Sequence, residues 1–195
     1  MEKKEDFLGY NKDEYIPILK DESISFIYQL CLEKQPKNIL EIGTYIGYSA
    51  SVLLSASPNA HLKTVELNKE NALIAQKNLA KFQNAEVICG DAKDVIKALL
   101  EKHEKFDFIF LDGPKGQYIK YLPILKELLC LNGILVADNV YFHGMVKAEG
   151  IIPHKHRSLV NNLRKFIEAI KKDGDFKSEI HDIGDGISVS IKINN

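Results

Sequence analysis

Five short runs carry the residue types from which a reactive centre can be built: ILEIGTYIGYSA (39–50), TVEL (64–67), CGDA (89–92), FIFLDGPKGQY (108–118) and GILVADN (133–139). Gly43 and Gly47 punctuate the first. Their missing side chains let a ligand approach the backbone, and free N–H groups at the start of the next helix can face it. Glu66 follows about 20 residues on, the position from which an acidic side chain reaches ribose hydroxyls. With Asp91 at a third strand end, these residues suggest an adenosine-containing cofactor, although the loop lacks the glycine pattern expected for a dinucleotide pyrophosphate. Asp112, Asp138 and Asn139 offer two carboxylates and an amide oxygen, a hard donor set suited to Mg²⁺, Mn²⁺ or Ca²⁺. That set is too small to enclose an ion, so water or substrate must complete the shell, as a catalytic site requires. Plainer alternatives exist: a tight turn for the glycines, and helix or turn caps for Glu66, Asp91, Asp112 and Asp138.

These residues need a frame that gathers strand ends. Strand-like runs at 38–42, 61–67, 85–90, 106–112 and 133–139 alternate with helical stretches at 48–56, 68–82, 92–103 and 117–129. Such alternation implies parallel βαβ units and a doubly wound sheet with ligands at the carboxyl ends of its strands. Upstream, 16–19 (IPIL) reads as a short extended piece, followed by a helix opened by Asp21 or Ser23 and closed before Pro36. After a helix over 156–172, FKSEIHDI and GISVSIKI joined at Gly184, Asp185 and Gly186 predict an antiparallel hairpin. The expected architecture is α/β and Rossmann-like, a seven-stranded mostly parallel sheet ending in that hairpin, with all 195 residues in one domain.

Formal charge is −1, so no global field recruits nucleic acid, although a neutral total can hide a local basic patch. The N-terminus MEKKEDFLGY has no apolar stretch after its lysines, and no apolar run approaches membrane-spanning length. Cys31, Cys89 and Cys130 lie in expected core segments without metal-ligand spacing, which reads as buried, unpaired thiols in a reducing compartment. The expectation is a soluble, cytoplasmic protein with no membrane partner.

Taken in order, ILEIGTYIGYSA, TVELNKENALIAQKNL, CGDAKDVIKALLEK, FIFLDGPKGQY and GILVADNVYFHG resemble the cation-dependent O-methyltransferases, the family of catechol and caffeoyl-CoA O-methyltransferases and their bacterial relatives. The resemblance covers about residues 15–145 and implies a Rossmann-like methyltransferase fold, S-adenosylmethionine as cofactor and a divalent cation, Mg²⁺ or Mn²⁺. It implies that Glu41, Gly43, Tyr45, Gly47 and Ser49 line the methionine part of the cofactor, that Glu66 meets the ribose, and that Asp91 and Ala92 meet the adenine. Asp112, Asp138 and Asn139 match the family's metal ligands, with Asp112 also on the cofactor side. Lys115 matches the lysine that assists deprotonation of the acceptor hydroxyl. The chemistry agrees: methyl transfer is an in-line displacement by oxygen on a sulfonium carbon, and a nearby cation favours the oxyanion and lowers a lysine's pKa. The plainer reading of Lys115 is a solvated lysine on a turn.

A closer resemblance, carried by IPIL, LDGPKGQY and HRSLVNNLRKFIEAI, is to the bacterial branch that methylates 5-hydroxyuridine in the tRNA anticodon. It implies tRNA as the preferred acceptor, with a small catechol-like phenol as the alternative, and family relatives imply a homodimer. Lys147, His154, Lys155, His156, Arg157, Arg164 and Lys165 form a basic stretch just past the metal ligands, suited to phosphate contacts or simply a solvated face. Two alternating histidines without further ligands make a poor zinc site. A non-catalytic nucleotide- or RNA-binding module would keep the glycine loop but would not need Asp112, Lys115, Asp138 and Asn139 at one edge. A dehydrogenase fits the fold alone.

Overall fold

The computed structural model describes residues 3–11 and 19–194. The extended piece expected at 16–19 lies outside them except for Leu19, which is buried. In chain order the regular elements are α1 (Asp21–Lys34), β1 (Asn38–Ile42), α2 (Tyr48–Ala56), β2 (His61–Glu66), α3 (Lys69–Leu79), β3 (Ala85–Cys89), α4 (Ala92–Glu101), β4 (Phe106–Leu111), α5 (Tyr118–Leu128), β5 (Leu129–Ala137), α6 (Arg157–Lys172), β6 (Phe176–His181) and β7 (Ile187–Lys192). Local signals account for many boundaries. The Asn68 side chain accepts the N–H groups of Glu70 and Asn71 and starts α3. Gln35, at φ +45°, ends α1 before Pro36. Val160, Leu163, Phe166 and Ile170 make the buried stripe of α6.

The strands form one seven-stranded sheet in the order β3-β2-β1-β4-β5-β7-β6. Pairings from β3 to β5 are parallel, and β7 runs antiparallel between β5 and β6. Alternation along β4 divides the core between the two faces. Phe108 and Phe110 pack with Ile24, Ile27 and Leu53 of α1 and α2, whereas Ile109 and Leu111 pack with Leu125 and Phe166 of α5 and α6. Each such side chain stabilises the fold by roughly 1.5–3 kcal/mol relative to exposure. The central strands are therefore firmly held. The order of connection reverses between β1 and β4, the switch point where such sheets open a crevice.

Three expectations need correction. β5 begins at Leu129 rather than 133: Leu129 pairs with Phe106, the register shifts, and pairing resumes at Ile134 with Phe108. The helix before it correspondingly ends at Leu128. Nor are all three cysteines buried; only Cys31 is, while Cys89 is exposed and Cys130 half-buried. β3 is one of the sheet's two edge strands and has no fully buried residue along its length, and Cys130 sits in the irregular start of β5. Burial pushes the Cys31 thiol up to about 11, opposed by the Ser57 hydroxyl, which leaves it an inert packing residue. No helix among the described residues is long and apolar enough to cross a membrane.

Candidate active site

At the switch point the chain leaves β1 at Gly43 and β4 at Asp112. Gly43 N–H donates to Val65 O at 2.9 Å, Asp112 N–H to Ile42 O at 2.9 Å, and Asp138 N–H to Leu111 O at 3.1 Å. The ladder thus continues one residue beyond each strand and fixes these positions relative to one another. Beside them lies a cleft of about 190 Å³ lined by Gly43, Thr44, Tyr45, Ile46, Tyr48, Ser49, Glu66 and Asp112, with Leu19 closing one side.

The structure gathers most of the expected cofactor residues here. Gly43, Tyr45, Ser49, Glu66 and Asp112 line the cleft, and Gly47, at φ +88°, starts α2. Glu41 lies behind the lining, fully buried, with one carboxylate oxygen accepting the hydroxyls of Thr44 at 2.9 Å and Thr64 at 2.5 Å. Its Oε1 is buried without a partner, and burial pushes the carboxyl up against the opposing effect of the Ser49, Thr64 and Thr44 hydroxyls. Glu66 also shapes the glycine loop: its two oxygens accept the N–H groups of Tyr45 and Asn68, each at 2.9 Å, so the acid expected to face a ribose holds the loop as well.

Asp91 and Ala92 stand farther out, after the edge strand, and do not line the cleft. Asp91 caps α4 by accepting Lys93 N–H at 2.8 Å, which realises the plainer reading without removing the carboxylate from the sheet's ligand edge. Thr44 and Thr64 escaped sequence reasoning, although in-register pairing of Thr64 with Glu41 follows once β1 and β2 are aligned. Tyr48, Ile46 and Leu19 carry no comparable polar signal.

On the other side of Asp112 is the acidic edge. Asp138 is completely buried, and its Oδ2 has no hydrogen-bond partner. Burial, then the charge of Asp112, push its carboxyl up to about 7. Asp112 is raised to about 6, chiefly by burial, with Lys115 opposing from 3.3 Å. Asn139 follows in the left-handed region at φ +54°, which asparagine tolerates well. The described residues hold no group of three or more His, Cys, Asp and Glu arranged for a metal, so a cation here would take both carboxylates, the Asn139 amide and outside oxygens. An orphaned oxygen of Asp138 beside a second raised carboxylate fits that role: a divalent ion bound here would give Asp138 the partner that the protein does not.

Two further side chains hold this edge. Tyr118, fully buried, has its hydroxyl 3.0 Å from Leu111 O and 3.4 Å from Asp138 O, tying the ends of β4 and β5. The Gly184–Gly186 turn meets the segment after Asn139, accepting Val140 N–H at Gly186 O and Tyr141 N–H at Asp185 O. The basic stretch is partly committed elsewhere. Arg164 donates to the carbonyls of Met145, Val146 and Ala148, Lys147 pairs with Asp182 over the Tyr141 ring, and His156 meets Phe142 edge to face. Arg157 Nε likewise donates to Ile152 O at 3.2 Å, although its side chain stays exposed with those of His154, Lys155 and Lys165.

A doubly wound sheet with a glycine loop at its switch point and an antiparallel terminal hairpin is the Rossmann-like methyltransferase fold. An O-methyltransferase from Bacillus cereus in complex with S-adenosylhomocysteine has this fold, with a TM-score of 0.82 at 25% identity over 92% of this chain and 84% of that one. The chain belongs to the O-methyltransferase family, whose model matches residues 13–193. A catechol O-methyltransferase of Niastella koreensis is 36% identical over 131 residues, 65% of this chain and 58% of that protein's length. A caffeoyl-CoA O-methyltransferase of Eucalyptus globulus is 30% identical over 167 residues, 80% of this chain and 67% of the plant protein. This chain thus spans less than two thirds of the length of the catechol relative.

Proposed function

We propose that this protein transfers a methyl group from S-adenosylmethionine to an acidic hydroxyl held at the Asp112, Asp138 and Asn139 edge. The observation that carries this is the double position of Asp112, which lines the glycine-loop cleft and also belongs to the acidic edge. A cofactor in the first and an acceptor at the second would meet without further machinery. A divalent cation bound by Asp112, Asp138 and Asn139 would lower the acceptor hydroxyl's pKa and fix its orientation.

The chain's own groups do the rest. Gly43 to Gly47 and Ser49 orient the cofactor's methionine end, Glu66 meets the ribose, and Asp91 with Ala92 borders the adenine. Lys115 assists removal of the hydroxyl proton. The acceptor oxygen then attacks the methyl carbon as the carbon–sulfur bond breaks, and the sulfonium leaves as the neutral thioether of S-adenosylhomocysteine. Lys115→Ala is expected to lower turnover by about 10²–10⁴-fold, the range for a general acid–base group, while S-adenosylhomocysteine affinity stays within about twofold. Equal turnover by the variant and the parent, with saturating cofactor, would remove Lys115 from the mechanism.

The preferred acceptor is 5-hydroxyuridine in the tRNA anticodon. Its 5-hydroxyl and O4 carbonyl are neighbouring oxygens that can chelate a cation as a catechol does. Supporting it are the LDGPKGQY and HRSLVNNLRKFIEAI runs and the exposed His154, Lys155, Arg157 and Lys165, which suit phosphates. A small phenol is the second reading, favoured by relatives named for catechol and caffeoyl-CoA. A cytoplasmic homodimer belongs to the same proposal. Nucleoside mass spectrometry of hydroxyuridine-bearing tRNA incubated with protein, S-adenosylmethionine and Mg²⁺ decides between acceptors, with chelator and catechol reactions in parallel. Methoxyuridine lost on chelation supports the RNA reading; methylated catechol with unchanged tRNA replaces it with the phenolic one.

A further inference from the structure

α1 buries one face made of Ser23, Ile24, Ile27 and Cys31, and Ser23 is the polar member of that face nearest the acidic edge. A hydroxyl with 0% exposure needs a partner, and on a helix's first turns serine commonly spends it on the backbone. Here the Ser23 hydroxyl instead donates to Asp138 Oδ1 at 3.4 Å, across 115 residues of sequence. The other oxygen of the same carboxylate, Oδ2, is the one left buried and unpartnered. The hairpin turn closes the space from the far side. Gly184 sits at φ +61°, and a Cβ there would stand 2.4 Å from Ser23 Oγ. Only glycine leaves the serine room to face Asp138.

We propose that Ser23 is a positioning residue for the cation: by occupying Asp138 Oδ1 it fixes the carboxylate's rotation, so that Oδ2 is presented to the ion beside Asp112 and Asn139. The contact is long for a hydroxyl–carboxylate hydrogen bond, and the Asn139 backbone N–H also bears on this carboxylate, so the serine shares the orienting with the backbone. The role is that of the partners behind metal ligands generally, whose loss typically weakens metal affinity by about 10–100-fold. It also couples α1 and the Gly184 turn to the site, since either element can displace the serine.

The inference rests on Asp112, Asp138 and Asn139 being a divalent cation site, and the test separates the two. Mn²⁺ binding to metal-free protein is followed by electron paramagnetic resonance for the parent, Ser23→Ala, Ser23→Cys and Asp138→Ala, with S-adenosylhomocysteine affinity measured on each. Ser23→Ala is expected to bind Mn²⁺ about tenfold more weakly, at the low end of that range, with Ser23→Cys between it and the parent because a thiol is a weaker donor. Cofactor-product affinity should not move; a merely structural role for the serine would lower both. Parent-like Mn²⁺ affinity in Ser23→Ala, alongside lost binding in Asp138→Ala, overturns the positioning role and leaves the cation site standing. Should Ser23→Ala fail to fold, parent-like affinity in Ser23→Cys overturns it equally. A parent protein that takes up no Mn²⁺ removes the cation site and the serine's role together.

Discussion

Asp138→Ala is expected to abolish divalent-cation binding and to cut methyl transfer by at least about a hundredfold, beyond the 10–100-fold typical of losing an outer-shell partner. S-adenosylhomocysteine should still bind, because the cleft is lined from β1, α2, Glu66 and Asp112 and not by Asp138. Mn²⁺ titration and turnover with and without chelator measure the first two quantities. Full activity of the variant in chelator would end the cation-dependent reading.

The same side chain sets a pH dependence that can be read without any substrate. Asp138's carboxyl is raised from its ordinary 3.8 to about 7 by burial and then by the charge of Asp112. Between those values the folded chain retains a proton that the unfolded chain has released. The stability this contributes is present below about 3.8 and is lost as pH rises through about 7. Metal-free protein should therefore melt lower at pH 8 than at pH 5, and Asp138→Asn, which keeps the shape without the charge, should shrink that difference. Added Mg²⁺ should raise the pH 8 melting temperature of the parent and not of the variant.

Gly43→Ala is the second large effect. Gly43 has φ +94°, and a Cβ would stand 2.7 Å from Asp112 O and 2.8 Å from Gly113 Cα. Both are backbone atoms of a segment pinned by the Asp112 N–H bond to Ile42 O, so neither can yield cheaply. Left-handed backbone costs a non-glycine residue roughly 1–2 kcal/mol, and overpacking adds about 1–3. A total near 3 kcal/mol corresponds to a melting temperature lowered by about 10 °C in a chain of this size. Cofactor-product affinity should fall as well, because the displaced backbone is the cleft wall. Gly174→Ala is the control, since a Cβ there meets nothing within 4 Å. Equal melting of Gly43→Ala and the parent would show that the two strand ends are not in the contact described.

Part of this site was legible because its signals are local. Strands buried on both faces are continuous apolar runs, so the carboxylates that end them, Asp112 and Asp138, stand out, as do glycines immediately after the first run. The terminal hairpin announced itself through Gly184, Asp185 and Gly186. Misreadings arose where context overrode pattern. Cys89 sits in an apolar run but on an edge strand, and the start of β5 at Leu129 depends on a register shift against β4. Asp91 is no misreading: it caps α4 with one oxygen and still stands at the carboxyl end of β3.

Residue type and spacing alone determined that this chain alternates strands with helices and collects acids and glycines at the ends of its strands. Periodicity and chain-breaking residues act within a few positions of themselves. Tertiary structure alone decided what those acids face across the fold: Thr64 on one oxygen of Glu41 and Ser23 on one oxygen of Asp138. A carboxylate's protonation and orientation depend on burial and on the donors around it, and Ser23 reaches Asp138 only after α1 packs across the sheet.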